Sequence, residues 1–246
     1  MASNEQRCTQ DYATNAYGCS ETPSGQCATL ERTAELREHL PKLFQDLELT
    51  SLLDAGCGDW TWMSQVPLGS IQYIGADLVD DLLFKLQEYS SETVSFQKLD
   101  IVEDPPVQAD MWLCRDILCF YPYADIQCCL ERFVESNSRY IAITSIDRVE
   151  PNRDSLKGYW RPLNLMLPPF SFPPPEHSCP DGQQWFRKKH LMVFTREQIQ
   201  DWLSTTPLTA TVEVEQPSMV NDTQDKNAHL VSNIPLRMRS IRDHTG

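Results

Sequence analysis

Four aspartates, Asp54, Asp77, Asp100 and Asp116, each close a short run of mainly apolar residues. The first opens the segment Asp54-Ala55-Gly56-Cys57-Gly58-Asp59-Trp60. Gly56 and Gly58 permit a backbone path that a side chain would block, and they let a ligand approach the main chain. A dinucleotide fingerprint would place a third glycine three residues after Gly58, and Thr61 stands there instead. Asp54 also occupies a place where a dehydrogenase carries an apolar residue. Such a turn suits a ligand with a cationic end better than one with a pyrophosphate. Asp77, 19 residues beyond Gly58 and followed by Leu78, is spaced to accept hydrogen bonds from both hydroxyls of a ribose. Together, acids on one edge attract a cation by simple Coulomb interaction.

The elements that must carry these residues alternate. Strands are expected at Ser51–Cys57, Ile71–Asp77, Val94–Asp100, Asp110–Asp116 and Arg139–Ser145. Between them the spacing predicts helices at Trp60–Gln65, Asp80–Tyr89 and Tyr123–Glu135, with another over Thr29–Leu47, interrupted or kinked near Pro41. Strand–helix alternation of this pitch predicts a parallel, doubly wound α/β sheet with the four acids on its carboxyl edge. Leu191–Phe194 and a helix over Arg196–Leu203 follow, then late strands at Ala210–Glu215 and Asn227–Arg239. Residues 1–28 are polar and read as a flexible arm, and 29–246 as one domain. Between Pro162 and Pro180 lie seven of the 17 prolines, too dense for a helix or a central strand. Tyr159, Trp160, Leu163, Leu165, Phe170 and Phe172 make the same stretch too apolar for disorder, so 147–190 is expected to form an ordered lid over the sheet edge.

The 246 residues carry a formal net charge of −14. A strongly acidic surface repels a phosphate backbone and an anionic membrane, which disfavours nucleic acid and lipid partners. No apolar run approaches the length of a membrane span, and no secretory signal is evident. The nine cysteines lack a C-x-x-C pair and read as reduced thiols, which points to a cytoplasmic protein.

The turn at Asp54–Gly58 resembles motif I of class I S-adenosylmethionine-dependent methyltransferases. The chain is further similar to a largely uncharacterised group of these enzymes from bacteria, phages and microbial eukaryotes. The similarity lies in Ser24-Gly25, Thr29–Pro41, Gly56–Met63, Cys114-Arg115-Asp116, and above all in Gly158-Tyr-Trp-Arg-Pro-Leu-Asn-Leu165 with Pro168-Pro-Phe-Ser-Phe-Pro173. Their loop Ser-Gly-x-Gly-Ser reads Ser24-Gly25-Gln26-Cys27-Ala28 here. The resemblance implies a Rossmann-like sheet of seven strands with the last antiparallel, and S-adenosylmethionine as donor with S-adenosylhomocysteine as product. It places Asp54, Ala55, Gly56, Gly58 and Trp60 around the methionine end, Asp77 and Leu78 at the ribose, Asp100 and Ile101 at the adenine, and Arg115 with Asp116 at the reacting centre.

Methyl transfer to a hydroxyl, the reaction this reading favours, needs a base within hydrogen-bond reach. Candidates are Asp116, His177 and His190. The acceptor is expected to be a small molecule or a saccharide, held by Tyr159, Trp160, Arg161, Asn164 and Phe170. Aromatic faces stack on rings, arginine pairs with a carboxylate or phosphate, and asparagine reads hydroxyls. Arg187-Lys188-Lys189 reads first as a solvated basic face and next as an anchor for an acidic acceptor. Three alternatives remain: a nicotinamide-dependent oxidoreductase, disfavoured by Thr61 and Asp54; a scaffold protein that has kept the fold without the chemistry; and an RNA or protein methyltransferase, of which the charge balance disfavours the RNA acceptor.

Overall fold

The computed structural model describes residues 4–182 and 188–205. Five parallel strands, β1 (Ser51–Ala55), β2 (Gln72–Asp77), β3 (Val94–Lys98), β4 (Met111–Cys114) and β5 (Tyr140–Ile146), are joined by β6 (His177–Pro180) and β7 (Lys189–Thr195). The order is β3-β2-β1-β4-β5-β7-β6. β7 runs antiparallel to both β5 and β6. The strand order runs outward one way from β1 and the other way from β4, so the loops after these two strands diverge and leave a crevice at the carboxyl edge.

The central strands are apolar along their whole length, as strands covered on both faces must be. Leu52, Leu53, Met111, Leu113, Ile141 and Ala142 are fully buried. One face is covered by α2 (Leu30–Asp46) and α3 (Asp80–Leu86), the other by α4 (Tyr123–Glu135) and α5 (Arg196–Thr205). Thr29 caps α2 by accepting from the Arg32 N–H, and Leu36, Leu40, Leu43 and Phe44 form its buried stripe. The helix runs through Pro41 without the expected interruption.

Three further expectations are corrected. The helix expected at Trp60–Gln65 is a single 3-10 turn at Met63–Gln65, because Pro67 follows too closely for more. The polar N-terminal segment carries a helix, α1 (Asn4–Thr14). The proline-rich stretch, too dense in proline for a central strand, carries His177–Pro180, which among the described residues pairs with Lys189–Thr195 over the segment expected at Leu191–Phe194. It survives there as an edge strand that ends on Pro180, a position where no ladder donor is lost. The segments expected as strands at 210–215 and 227–239 lie outside the described residues.

Residues 147–176 form neither helix nor strand but are tied down throughout. The Ile146 N–H donates to Leu163 O at 2.7 Å, and the Leu165 N–H to Ser145 Oγ at 3.1 Å. Phe170 and Phe172 are buried against Tyr123, Phe194 and Trp202, and Trp202 Nε1 donates to Phe170 O. Among the described residues, no helix is long and apolar enough to cross a membrane.

Candidate active site

The carboxyl edges of β1, β2 and β4 open into two contiguous cavities of about 200 and 250 Å³, which share Gly56, Gly58, Arg115 and Asp116. Gly56 and Gly58 hold left-handed backbone angles, φ +82° and +55°. A Cβ at Gly56 would lie 2.7 Å from Ile117 Cδ1, and one at Gly58 2.4 Å from Ser24 Oγ. The turn favours glycine by its left-handed conformation, while the close contacts are with side-chain ends that can shift.

Asp77 ends β2 on the wall of the first cavity. Its Oδ1 accepts from the Leu78 and Val79 N–H groups at 2.7 and 3.2 Å, and its Oδ2 from the Gly58 N–H at 3.1 Å. A carboxylate has about four acceptor sites, so capacity for a further donor remains. Burial raises its pKa and the three N–H groups counter part of the rise. Leu78, Leu99, Ile101 and Ile117 give this cavity an apolar lining. Asp100 turns away from it: its Oδ1 accepts from the Val102 N–H at 2.9 Å in a tight local turn, and the residue lines neither cavity.

Asp54 is 3% exposed, yet it lines the second cavity. Its Oδ2 accepts from Tyr73 Oη at 2.7 Å. Burial pushes its carboxyl up to about 7, against the Tyr73 hydrogen bond and the Arg115 charge, which pull it down. Ala55 is fully buried in the sheet. Trp60, expected at the cofactor, lines neither cavity. It packs on Tyr73, Tyr89 and Phe96 at 5.3–6.0 Å between ring centroids.

Arg115 and Asp116 follow β4 and line both cavities. Arg115 meets the buried Asp181 bidentately, Nε and Nη2 each at 2.9 Å, and also donates to Cys27 O at 2.8 Å. Its guanidinium lies 4.9 Å from the Trp62 ring centroid. Lys189, 4% exposed, reaches Asp181 at 3.0 Å and donates to Asp116 Oδ2. Burial alone would raise the Asp181 carboxyl, but Arg115 and Lys189 outweigh it and hold it below the usual range. Burial and the Arg115 charge work against Lys189, and the two carboxylates still raise it. Asp116 takes a left-handed φ of +55°, and its N–H donates to Thr144 Oγ1 at 2.8 Å. Lys189 is therefore part of a buried ion network, which corrects its reading as a solvated cation. Lys188 is exposed and pairs with Asp147 at 3.2 Å, while Arg187 lies outside the described residues.

His177 opens the edge strand β6 and lines neither cavity, and the same is true of His190, whose Nδ1 lies 3.2 Å from Ser178 Oγ. Neither is placed to serve as the base. Of the five expected acceptor residues, only Trp160 lines a cavity. Arg161 Nη1 donates to Cys119 O at 3.2 Å and Nε to Arg153 O at 2.8 Å. Asn164 Nδ2 donates to Arg148 O at 2.9 Å, and Phe170 is wholly buried. Tyr159 stacks its ring on Arg7, 4.2 Å away, and stays half exposed. These four hold the proline-rich segment in place.

Sequence reasoning missed two contributors, and gave no role to Ser24 beyond its place in the Ser-Gly loop. Asp181 sits 66 residues from Arg115, and no local pattern announces such a pairing. Arg7, Cys8, Asp11 and Tyr12 of α1 close over the first cavity. Ser24 ties the N-terminal segment to the glycine turn, donating to Asp59 Oδ1 at 2.9 Å and accepting from the Asp59 N–H at 3.1 Å.

Neither a protein-family model nor a curated protein sequence matches the chain. Solved structures do match it. One is 1,6-didemethyltoxoflavin-N1-methyltransferase of Burkholderia thailandensis, crystallised with 1,6-didemethyltoxoflavin and S-adenosylhomocysteine. It is 16% identical, with a TM-score of 0.57 over 79% of this chain and 91% of that one. Another is magnesium protoporphyrin IX methyltransferase of Synechocystis with bound S-adenosylmethionine, 14% identical, with a TM-score of 0.50 over 80% of this chain and 98% of that one. The seven-stranded α/β sheet is thus the class I methyltransferase fold.

Proposed function

We propose that this protein is an S-adenosylmethionine-dependent methyltransferase acting on a small-molecule or saccharide acceptor. The observation that carries the reading is the first cavity. It joins a glycine turn in the left-handed conformation to an acid with spare acceptor capacity and an apolar lining, which fits an adenosine. Asp77 would take the ribose hydroxyls, and Leu99 and Ile101 would flank the adenine. Gly56, Gly58 and Asp54 would hold the methionine end, where a carboxylate stabilises positive charge. The likeness to structures crystallised with this cofactor or its product supports the same assignment. The cofactor would supply an electrophilic methyl group on a sulfonium.

The chain's own work is alignment, exclusion of water and removal of a proton. Asp116 lines both cavities, so it stands where donor and acceptor would meet. Lys189 and Arg115 fix its Oδ2, and Thr144 fixes its backbone. Asp116 Oδ1 has no hydrogen bond to a described residue and is the oxygen on which a hydroxyl proton would settle. Transfer to oxygen and membership of the group sharing the Arg-Pro-Leu-Asn-Leu segment are part of the proposal.

Thermal unfolding tests the assignment. A ligand that binds the folded chain alone, at 100 times its Kd, stabilises by about 2.7 kcal/mol, several degrees in Tm. S-adenosylhomocysteine is expected to raise Tm by that much in the wild type and not in Asp77→Ala. An equal rise in both would remove Asp77 from the site.

A further inference from the structure

Two aromatic side chains stand where the cavities meet. Tyr17 and Phe120 line both the first and the second cavity, beside Gly56, Gly58, Arg115 and Asp116. They come from separate parts of the chain, and each is held by its backbone. Tyr17 lies in a turn of the N-terminal segment, where the Gly18 N–H donates to Asn15 O at 2.8 Å and Asn15 Nδ2 to Cys19 O at 2.9 Å. Gly25, at φ +91°, passes close beneath it: a Cβ there would lie 3.1 and 3.2 Å from Tyr17 Cβ and Cγ. Phe120 ends the 3-10 turn Leu118–Phe120 that follows Asp116. Its N–H donates to Ile117 O at 3.0 Å, and its carbonyl accepts from the Gly158 N–H at 2.6 Å.

With the adenosine in the first cavity and the methionine end in the second, the sulfur that joins them falls at this shared wall. In the donor that sulfur is a cation, and in the product it is a neutral thioether. Aromatic rings attract a cation to their faces, where the quadrupole is negative. We propose that Tyr17 and Phe120 recognise the sulfonium centre of the cofactor through their rings and so distinguish the methylated donor from its product. The inference rests on the methyltransferase reading and adds to it the residues that sense the charge. Arg115 shares the wall without repelling the sulfonium, because Asp181 meets it bidentately at 2.9 Å and Asp116 approaches it at 3.5 Å. Once the methyl group has left, the attraction goes with the charge, which favours exchange of product for fresh donor.

Calorimetric titration of the full chain with S-adenosylmethionine and with S-adenosylhomocysteine tests this, read as the ratio of the two dissociation constants. Tyr17→Leu and Phe120→Leu keep an apolar side chain and remove the ring. Tyr17 is 37% exposed, so its replacement spares the core. Each leucine variant is expected to move the ratio about fivefold against S-adenosylmethionine, with S-adenosylhomocysteine bound within about twofold of the wild type. Tyr17→Phe keeps the ring and should hold the wild-type ratio. A ring that only packs against the site would weaken both forms alike. An unchanged ratio in either leucine variant, whether both forms bind as before or weaken together, would overturn the proposal. The wild type separates the two failures. If it binds neither form, the cofactor reading falls and this inference with it. If it binds both and the leucine variants leave the ratio unmoved, only this inference falls.

Discussion

Asp54 shows how a single residue couples fold and site. It is buried at the end of β1 with one hydroxyl partner, and burial pushes its carboxyl from 3.8 up to about 7. In the unfolded chain it ionises near the lower value. Between pH 4 and 7 the folded protein keeps a proton that the unfolded chain has lost, so stability falls as pH rises through this window. Asp54→Asn removes that dependence. The variant should match the wild type near pH 4 and exceed it at pH 8, by roughly 4 kcal/mol at most. Urea denaturation at the two pH values measures the difference, and a variant less stable than the wild type at pH 8 would contradict it. Asp54, Asp77 and Asp116 were legible in the sequence because strand ends and glycine turns leave local signals. Asp181 and Lys189 were not, since their partnership with Arg115 is made by tertiary contact across the site. His177 lies on β6 away from both cavities, and a histidine in a proline-rich stretch gives no sign of which strand edge it will join.

Among the elements, α4 appears at the residues expected from its apolar spacing, and the five parallel strands appear within a few residues of theirs. Their patterns are carried by burial, which hydrophobic periodicity reports directly. α1 escaped because it has no apolar stripe, as Cys8 and Tyr12 are its only partly buried hydrophobics packed on the core. Polar contacts hold it: Glu5 pairs with Lys98 at 2.6 Å, and Arg7 stacks on Tyr159. It covers the first cavity at little cost to the rest of the fold. The pair Glu5→Ala and Arg7→Ala should therefore weaken cofactor binding by about 1 kcal/mol, roughly fivefold, and shift Tm by less than about 2 °C. A large loss of Tm would make α1 part of the structural core. The proline-rich stretch was legible as ordered from its aromatic content. Its edge strand was not, because strand propensity is low there and pairing with β7 overrides it.

At the scale of the molecule, the sheet order, the reversal beside β1 and the glycine turn converge on one crevice. The acidic surface faces solvent, while the cations that matter are drawn inward to Asp116 and Asp181. The central claim is that the first cavity binds S-adenosylmethionine. Calorimetric titration of the protein with S-adenosylmethionine, with NAD and NADP as controls, tests it most directly. Saturable binding of the sulfonium cofactor at micromolar concentration, with no heat from either nicotinamide cofactor, is the expected result. Binding of a nicotinamide cofactor alone would contradict the account.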